Sequence, residues 1–308
     1  MADLLEAVAG GGLLEPGRPV LVMLSGGRDS TCLLDLAVRI AGAGSVAAMH
    51  VNYGLREGAE GDERHCRELG EALGVAVEVV RPQTPRRGNL QAWARAERYA
   101  AAAARAAGRD IATGHTATDQ LETILYRLAS SPSRRALLGM SPRDGALIRP
   151  LLGVTREQTA AHCRTRGLRW REDPSNDAHT FARARVRHQL VPALREIHPA
   201  AEDNVLALAA ILRDEAAVLE EAIESVLAGR RAVALAELRA LPPALARLVI
   251  QRLADEAAGG PAAGVARRAA EVLALRSQGT ARLDVGAGLR AVAEHGLLRF
   301  EPLPRADS

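Results

Sequence analysis

Three short polar stretches carry the chemistry open to this sequence. The first is Ser25-Gly26-Gly27-Arg28-Asp29-Ser30, set between the apolar run PVLVML and the leucine-rich CLLDLAVRI. Glycines at such a junction let backbone N–H groups turn inward, and the start of a helix adds partial positive charge, so the corner suits an oxyanion. Ser25, Ser30 and Thr31 add hydroxyl donors. Asp29 would repel a phosphate unless a divalent cation lay between them, so the set points to a nucleotide with Mg2+. It is not the lysine-bearing phosphate loop, because the spacing differs and all 40 basic residues of the chain are arginine. The absence of lysine also excludes Schiff-base chemistry and a catalytic lysine. The second stretch is HVNYGLRE, His50 to Glu57, and the third is GHTATDQLET, Gly114 to Thr123. His50 and His115 either meet a ligand, through phosphate contact or proton transfer, or are structural residues of their turns. Asp119 and Glu122 are three apart and share one helix face, as ligand-binding or as helix-capping acids.

These stretches need elements to position them. Strand-like runs at 19–24, 45–51, 75–80, 110–115 and 146–152 alternate with helical runs at 31–40, 59–73, 90–107, 119–128 and from 155. Repeated strand–helix units predict an α/β fold, a doubly wound parallel sheet with helices on both faces. Ligands of such sheets sit at the carboxyl ends of the strands, where strand order reverses, and all three polar stretches fall just after expected strands. The second half differs. A long amphipathic helix is expected over 198–227, then helices near 242–257 and 262–276, then two short strands around Gly286 and Gly288. The organisation read from this is a catalytic domain at 1–198 and a smaller, mostly helical domain at 199–308.

Composition bounds the rest. The chain has 308 residues, 48% of them hydrophobic but only 2% aromatic, so aliphatic side chains must build the core. No apolar run approaches the ~20 residues of a membrane span. The amino terminus carries acids and no basic segment, unlike a signal peptide, so a cytoplasmic location is expected. Cys32, Cys66 and Cys163 are far apart and form no CxxC pair, which argues against a disulfide frame or a cysteine-held metal. Residues 156–195 hold 9 arginines against 4 acids, either a track for a phosphate backbone or a solvated surface. Arg183, Arg185 and Arg187 alternate within it. They would share a face if extended, whereas only Arg183 and Arg187 would on a helix, and such a group suits tRNA or ATP phosphates or is an ordinary solvated cluster.

The SGGRDS corner resembles the pyrophosphatase loop of the N-type ATP pyrophosphatases, whose fold is that of the adenine nucleotide alpha hydrolases. The later stretches are similar to one branch, the tRNA(Ile)-lysidine synthetases. HVNYGLRE resembles H-V-N-H-G-L-R, with Tyr53 for the second histidine; NLQAWARAERY keeps Ala94, Arg95, Arg98 and Tyr99 of A-R-x-x-R-Y; GHTATDQLET keeps Gly114, His115, Asp119, Gln120, Glu122 and Thr123 of G-H-H-x-x-D-Q-x-E-T. IRPLL at 148–152 and DPSNDAHTFARARVRHQLVPAL at 173–194, with Arg183, Arg185 and Arg187, complete the pattern over 19–195.

The resemblance implies ATP and Mg2+ as cofactors, an isoleucine tRNA with a CAU anticodon and free lysine as substrates, and an adenylated tRNA intermediate. It implies catalytic roles for Asp29, His115, Asp119 and Arg183, and ATP binding by Ser25, Gly26, Gly27, Arg28, Asp29, Ser30, His50 and Gly114, with Asp29 on the metal. Lysine would be held by Asp119 and Glu122, and tRNA by Arg95, Arg98, Arg183, Arg185 and Arg187, with the second domain in support. No membrane partner is expected, and a homodimer is common among members. Thr116, Thr118 and Ala184 depart from the pattern, and ASSPSRRALLGM at 129–140, with Pro132, stands where a glycine-rich loop is usual. Two other readings are a tRNA thiolase or amide synthetase, and a non-catalytic nucleotide- or RNA-binding module. The first lacks its cysteine pairs or glutaminase segment, and the second has only the altered 129–140 loop in its favour.

Overall fold

The structure, a computed structural model, describes residues 4–55, 58–83, 85, 89–131, 134–172 and 182–303. The first elements are α1 (Leu4–Gly10), β1 (Val20–Met23), α2 (Arg28–Ala41), β2 (Val46–Val51), α3 (Ala59–Ala72), β3 (Val77–Val80), α4 (Leu90–Ala106), β4 (Asp110–Ala112) and α5 (Ala117–Ser130). A short pair, β5 (Arg143–Asp144) and β6 (Leu147–Ile148), precedes α6 (Arg156–Thr165), α7 (Ala182–Arg185), a π-helical turn at Val186–Leu190, α8 (Val191–Ile197) and α9 (Ala201–Leu227).

The strands form one sheet in the order β3-β2-β1-β4-β6-β5, parallel except for the edge strand β5. The chain runs outward from β1 to β3 and then returns to add β4 on the other side of β1. The order therefore reverses between β1 and β4, and a crevice is expected above their carboxyl ends. All four residues of β1 are buried, as a central strand covered on both faces demands. On one face Leu33, Leu34, Leu36 and Ala37 of α2 close the core against Val20, Val22 and Ile148; on the other, Ala102 of α4 packs with Leu21, Met23, Met49 and Ile111.

Helix starts follow local side chains. Asn89 caps α4 at the Ala92 N–H, and Thr116 and Thr155 open α5 and α6 with capping boxes closed by Asp119 and Gln158. Helix α2 begins at Gly27 with no side-chain cap.

The chain divides into two compact units, residues 1–210 and 211–308, the division falling inside α9 rather than at 198/199. The first turns of α9 belong with the first unit because Val205 and Leu206 pack on Leu121, Leu125, Val186 and Val191. The second unit adds β7 (Val233–Ala234), α10 (Leu235–Ala240), α11 (Pro243–Ala258), a 3-10 turn at Val265–Arg268, α12 (Ala269–Leu273), β8 (Thr280–Gly286), β9 (Leu289–Glu294) and β10 (Leu297–Pro302). Helices outweigh strands there, but the two expected strands belong to a four-stranded antiparallel sheet, β7-β10-β9-β8. The β9–β10 hairpin turns at His295 and Gly296, both with positive φ, 48° and 82°. That is the two-residue mirror-image turn that matches strand twist, built here on His-Gly instead of Asn-Gly.

Candidate functional site

At the end of β1, the Leu24 N–H donates to Met49 O at 2.8 Å, and the chain then turns at Gly26, whose φ is +81°. A Cβ at Gly26 would also stand 3.1 Å from Cys66 Sγ, so only glycine fits. Ser25 and Ser30 fix the corner from inside. The Ser25 N–H donates to Ser30 Oγ at 3.2 Å, the two hydroxyls are 3.0 Å apart, and Ser30 Oγ donates to Gly27 O at 2.9 Å. The first-turn N–H groups of α2 are left without a side-chain cap, the arrangement that accepts an anion.

The turn after β4 lies directly against this corner. A Cβ at Gly114 would be 3.1 Å from both Asp29 C and Ser30 N, so the close approach of the two loops depends on that glycine. His50, by contrast, supports the corner from below. It is buried, with Nδ1 2.9 Å from Leu24 O and 3.3 Å from Cys66 Sγ. Burial pushes its pKa down, which suits a neutral structural ring.

Above the corner, three carboxylates converge on one guanidinium. Arg156, the first residue of α6, has Nε 3.6 Å from Asp29 Oδ2, Nη2 2.9 Å from Asp119 Oδ1 and Nη1 3.9 Å from Glu122 Oε1. Asp29 also accepts from Thr159 Oγ1 at 2.5 Å and Arg28 Nε at 3.1 Å. Asp119 is both capping acid and site acid: Oδ2 takes the Thr116 N–H and hydroxyl at 2.9 and 2.8 Å, leaving Oδ1 for Arg156. Burial alone would raise the Asp119 pKa, but Arg156 and the Thr116 bonds outweigh it and hold the carboxyl below its ordinary range. Glu122 lies inside the fold. It is 3% exposed and receives Arg187 bidentately, Nε at 2.6 Å and Nη2 at 3.1 Å. Arg187 is therefore bound to an internal acid, where the sequence suggested a tRNA contact.

His115 sits beside these acids, with Nδ1 2.8 Å from Thr113 Oγ1. Burial pushes its pKa down to about 4, against the pull of Asp119 and aided by Arg149, Arg95 and Arg98, so the ring is neutral at neutral pH. A neutral ring can accept a proton but cannot act as a phosphate-binding cation. Arg95 and Arg98 come from α4, their guanidiniums 4.9 and 5.6 Å from the Tyr99 ring centre. Tyr53 joins this group, donating to Ala94 O at 2.8 Å and meeting Trp93 edge-on at 5.7 Å. Three of the chain's seven aromatic residues, Tyr53, Trp93 and Tyr99, thus lie on or against α4.

Arg185 is exposed on a helix, so the extended arrangement in which the alternating arginines would share one face is not the one formed. The Arg183 side chain, Arg56, Pro132 and the DPSNDAHTF segment lie outside what the structure describes. Among the described residues, Arg156, Arg166, Arg171, Arg187 and Arg195 of the nine arginines in 156–195 pair with acids of the fold. Much of the local basic excess therefore serves internal carboxylates. Arg156 and Thr159 were not singled out from sequence, since they meet Asp29 only through a contact spanning about 130 residues. Arg149, inside the IRPLL stretch, was visible only as part of that pattern. Among the described residues no group of three or more acids, histidines or cysteines is arranged to hold a metal ion. Asp29, in the uncapped first turn of α2, still fits Mg2+ should a phosphate bind there, since that ion commonly takes one or two protein carboxylates and completes its shell from phosphate and water.

A family model described as the PP-loop domain matches residues 4–194. The tRNA(Ile)-lysidine synthase of Salinispora tropica is 39% identical over 93% of this chain and 91% of its own. That of Symbiobacterium thermophilum is 36% identical over 96% and 67%. That of Pseudomonas fluorescens is 39% identical over 65% of this chain and 47% of its own, so the chain spans about half the length of that relative. Among solved structures, the U34-tRNA thiolase NcsA from Methanococcus maripaludis with its 4Fe–4S cluster is similar over 68% of this chain and 76% of its own, at a TM-score of 0.56 and 16% identity. That likeness concerns the fold alone.

Proposed function

The chain belongs to the PP-loop domain family and, within it, to the tRNA(Ile)-lysidine synthases, and from that premise we propose that it uses ATP to join free lysine to C2 of the wobble cytidine in an isoleucine tRNA with a CAU anticodon. In this reading the 2-carbonyl oxygen attacks the α-phosphorus, and the α–β anhydride bond breaks to release pyrophosphate. The ε-amine of lysine then adds at C2, gives up a proton, and AMP departs with the former carbonyl oxygen. The product is lysidine, which reads AUA in place of AUG.

The observation that carries the reading is the meeting, at one switch point, of an uncapped glycine corner with three carboxylates that share a single guanidinium. Ser25, Gly26, Gly27, Arg28 and Ser30 would take the phosphates, with the Gly114 turn against them. Asp29 would hold Mg2+, which supplies charge neutralisation for the departing pyrophosphate. Arg156 lies where cations are needed, and a guanidinium that leaves the carboxylates for the phosphates would open Asp119 and Glu122 to the substrate ammonium. Neutral His115 would accept a proton in this reading. Arg95, Arg98, Arg183 and Arg185 would meet tRNA phosphates, and the second unit would extend that contact. A cytoplasmic enzyme fits this substrate.

The thiolase reading is weaker because Cys32, Cys66 and Cys163 are all fully buried, so none of these thiols is open to a cluster or a persulfide. One assay decides. With ATP, Mg2+, labelled lysine and the CAU-anticodon tRNA, label should enter the tRNA, and ATP–pyrophosphate exchange without lysine transfer would overturn the assignment in favour of another PP-loop reaction.

A further inference from the structure

Arg149 follows β6 at the carboxyl edge of the sheet and is only 7% exposed. Its Nη1 donates to Ser141 O at 2.6 Å, but Nε is buried without any partner, and no carboxylate pairs with it among the described residues. A buried guanidinium without a counter-charge is strongly unfavourable and calls for an anion. The placement is rigid. The Arg149 N–H donates to Pro142 O at 2.9 Å, and the loop that carries Ser141 is pinned by Gln120, which accepts from the Met140 N–H at 2.7 Å and donates to its carbonyl at 2.9 Å. The Thr113 N–H donates to Ile148 O at 3.0 Å and Thr113 Oγ1 meets His115 Nδ1 at 2.8 Å, so Arg149 leaves its strand beside the turn that carries His115 and opens the helix of Asp119 and Glu122.

We propose that Arg149 receives the α-carboxylate of the amino-acid substrate. The inference rests on the lysine-ligating function proposed above and assigns the end of the substrate that does not react. A planar guanidinium matches a carboxylate with two parallel bonds, and a small free amino acid can reach a nearly buried fork. A phosphodiester flanked by ribose cannot, and exposed Arg95 and Arg185 suit it better. The nucleotide phosphates have their own corner at the start of α2. With acids for the ammonium and Arg149 for the carboxylate, the pocket distinguishes lysine from other amines by its two ends.

The test compares lysine with 1,5-diaminopentane, which keeps the reacting amine and lacks the carboxylate, and with lysine amide. Wild type should prefer lysine over both by about 10²-fold in kcat/KM, as expected for a desolvated charge pair. Arg149→Ala should reduce the lysine-to-diamine ratio to within a few fold of unity, and Arg149→Lys should restore part of it. A ratio unchanged in Arg149→Ala overturns the proposal, as does equal loss for both amines or a rise in KM confined to ATP. Equal use of lysine and lysine amide by wild type overturns it without any variant, which covers the case of a variant that does not fold. If wild type adenylates tRNA but ligates no amine, the proposed function fails on that result alone. The site is then read by binding: with nucleotide present, lysine must raise the melting temperature of wild type and 1,5-diaminopentane must not, and equal shifts sink the assignment.

Discussion

At Glu122 two guanidinium nitrogens of Arg187 lie 2.6 and 3.1 Å from the carboxylate oxygens, in surroundings that leave the residue 3% exposed. Removing that charge strands Arg187 as well as emptying a place for a substrate ammonium. Glu122→Gln is therefore expected to lower stability by roughly 2 kcal/mol or more in urea unfolding and to raise KM for lysine over 10-fold; an unaltered KM would leave Glu122 a purely structural acid. Gly114 gives a complementary case. The methyl group of Gly114→Ala would press on the backbone of Asp29 and Ser30 at 3.1 Å, so ATP–pyrophosphate exchange should fall at least 10-fold while the lysine KM changes little. His115 adds a pH dependence. Its folded-state pKa, about 4, lies below its ordinary 6.5, so between those values the unfolded chain binds more protons and stability drops as pH falls. Asp119, held low, acts in the same direction at lower pH. Denaturant midpoints should decline from pH 7 to pH 4.5, and His115→Gln should flatten the part above pH 5.

Among the elements, the strands and helices of the parallel sheet were legible because each alternation of apolar strand and amphipathic helix is a local pattern. The glycine corner and the Asp119/Glu122 turn were legible for the same reason, since each is one contiguous stretch. What escaped depends on distance or on unusual turns. Arg156 and Thr159 gain meaning only when α6 docks against α2, and the β10 strand hides behind a His-Gly turn that lacks the usual asparagine. The α2–α6 contact itself rests on a buried polar tie: Asp35, fully buried, accepts from His162 at 2.8 Å and from Arg166 at 3.3 Å. Burial opposes its charge, but the two partners prevail and hold its pKa low. Asp35→Asn is expected to destabilise the protein by about 2–4 kcal/mol. Because the same contact sets Arg156 and Thr159 over Asp29, it should also slow adenylation. Loss of stability with an unchanged exchange rate would show that α6 keeps its place without the tie.

Over the whole chain, two cores stand in two compact units, one built around α2 and the parallel sheet and the other around Val249, Ile250, Leu253 and the antiparallel sheet. Calorimetry should resolve two transitions, and ATP with Mg2+ should raise only the one belonging to residues 1–210, since a ligand stabilises only the unit that binds it. A single transition shifted as one would mean that the units melt together. The crevice has one more consequence. Among the described residues the cationic side chains there, Arg28, Arg95, Arg98, Arg149, Arg156 and Arg187 among them, end in a guanidinium, which stays protonated in proteins and is a poor nucleophile at neutral pH. An electrophilic pyrimidine held there would meet no lysine amine from this sequence, so capture by an amine falls to one that diffuses in.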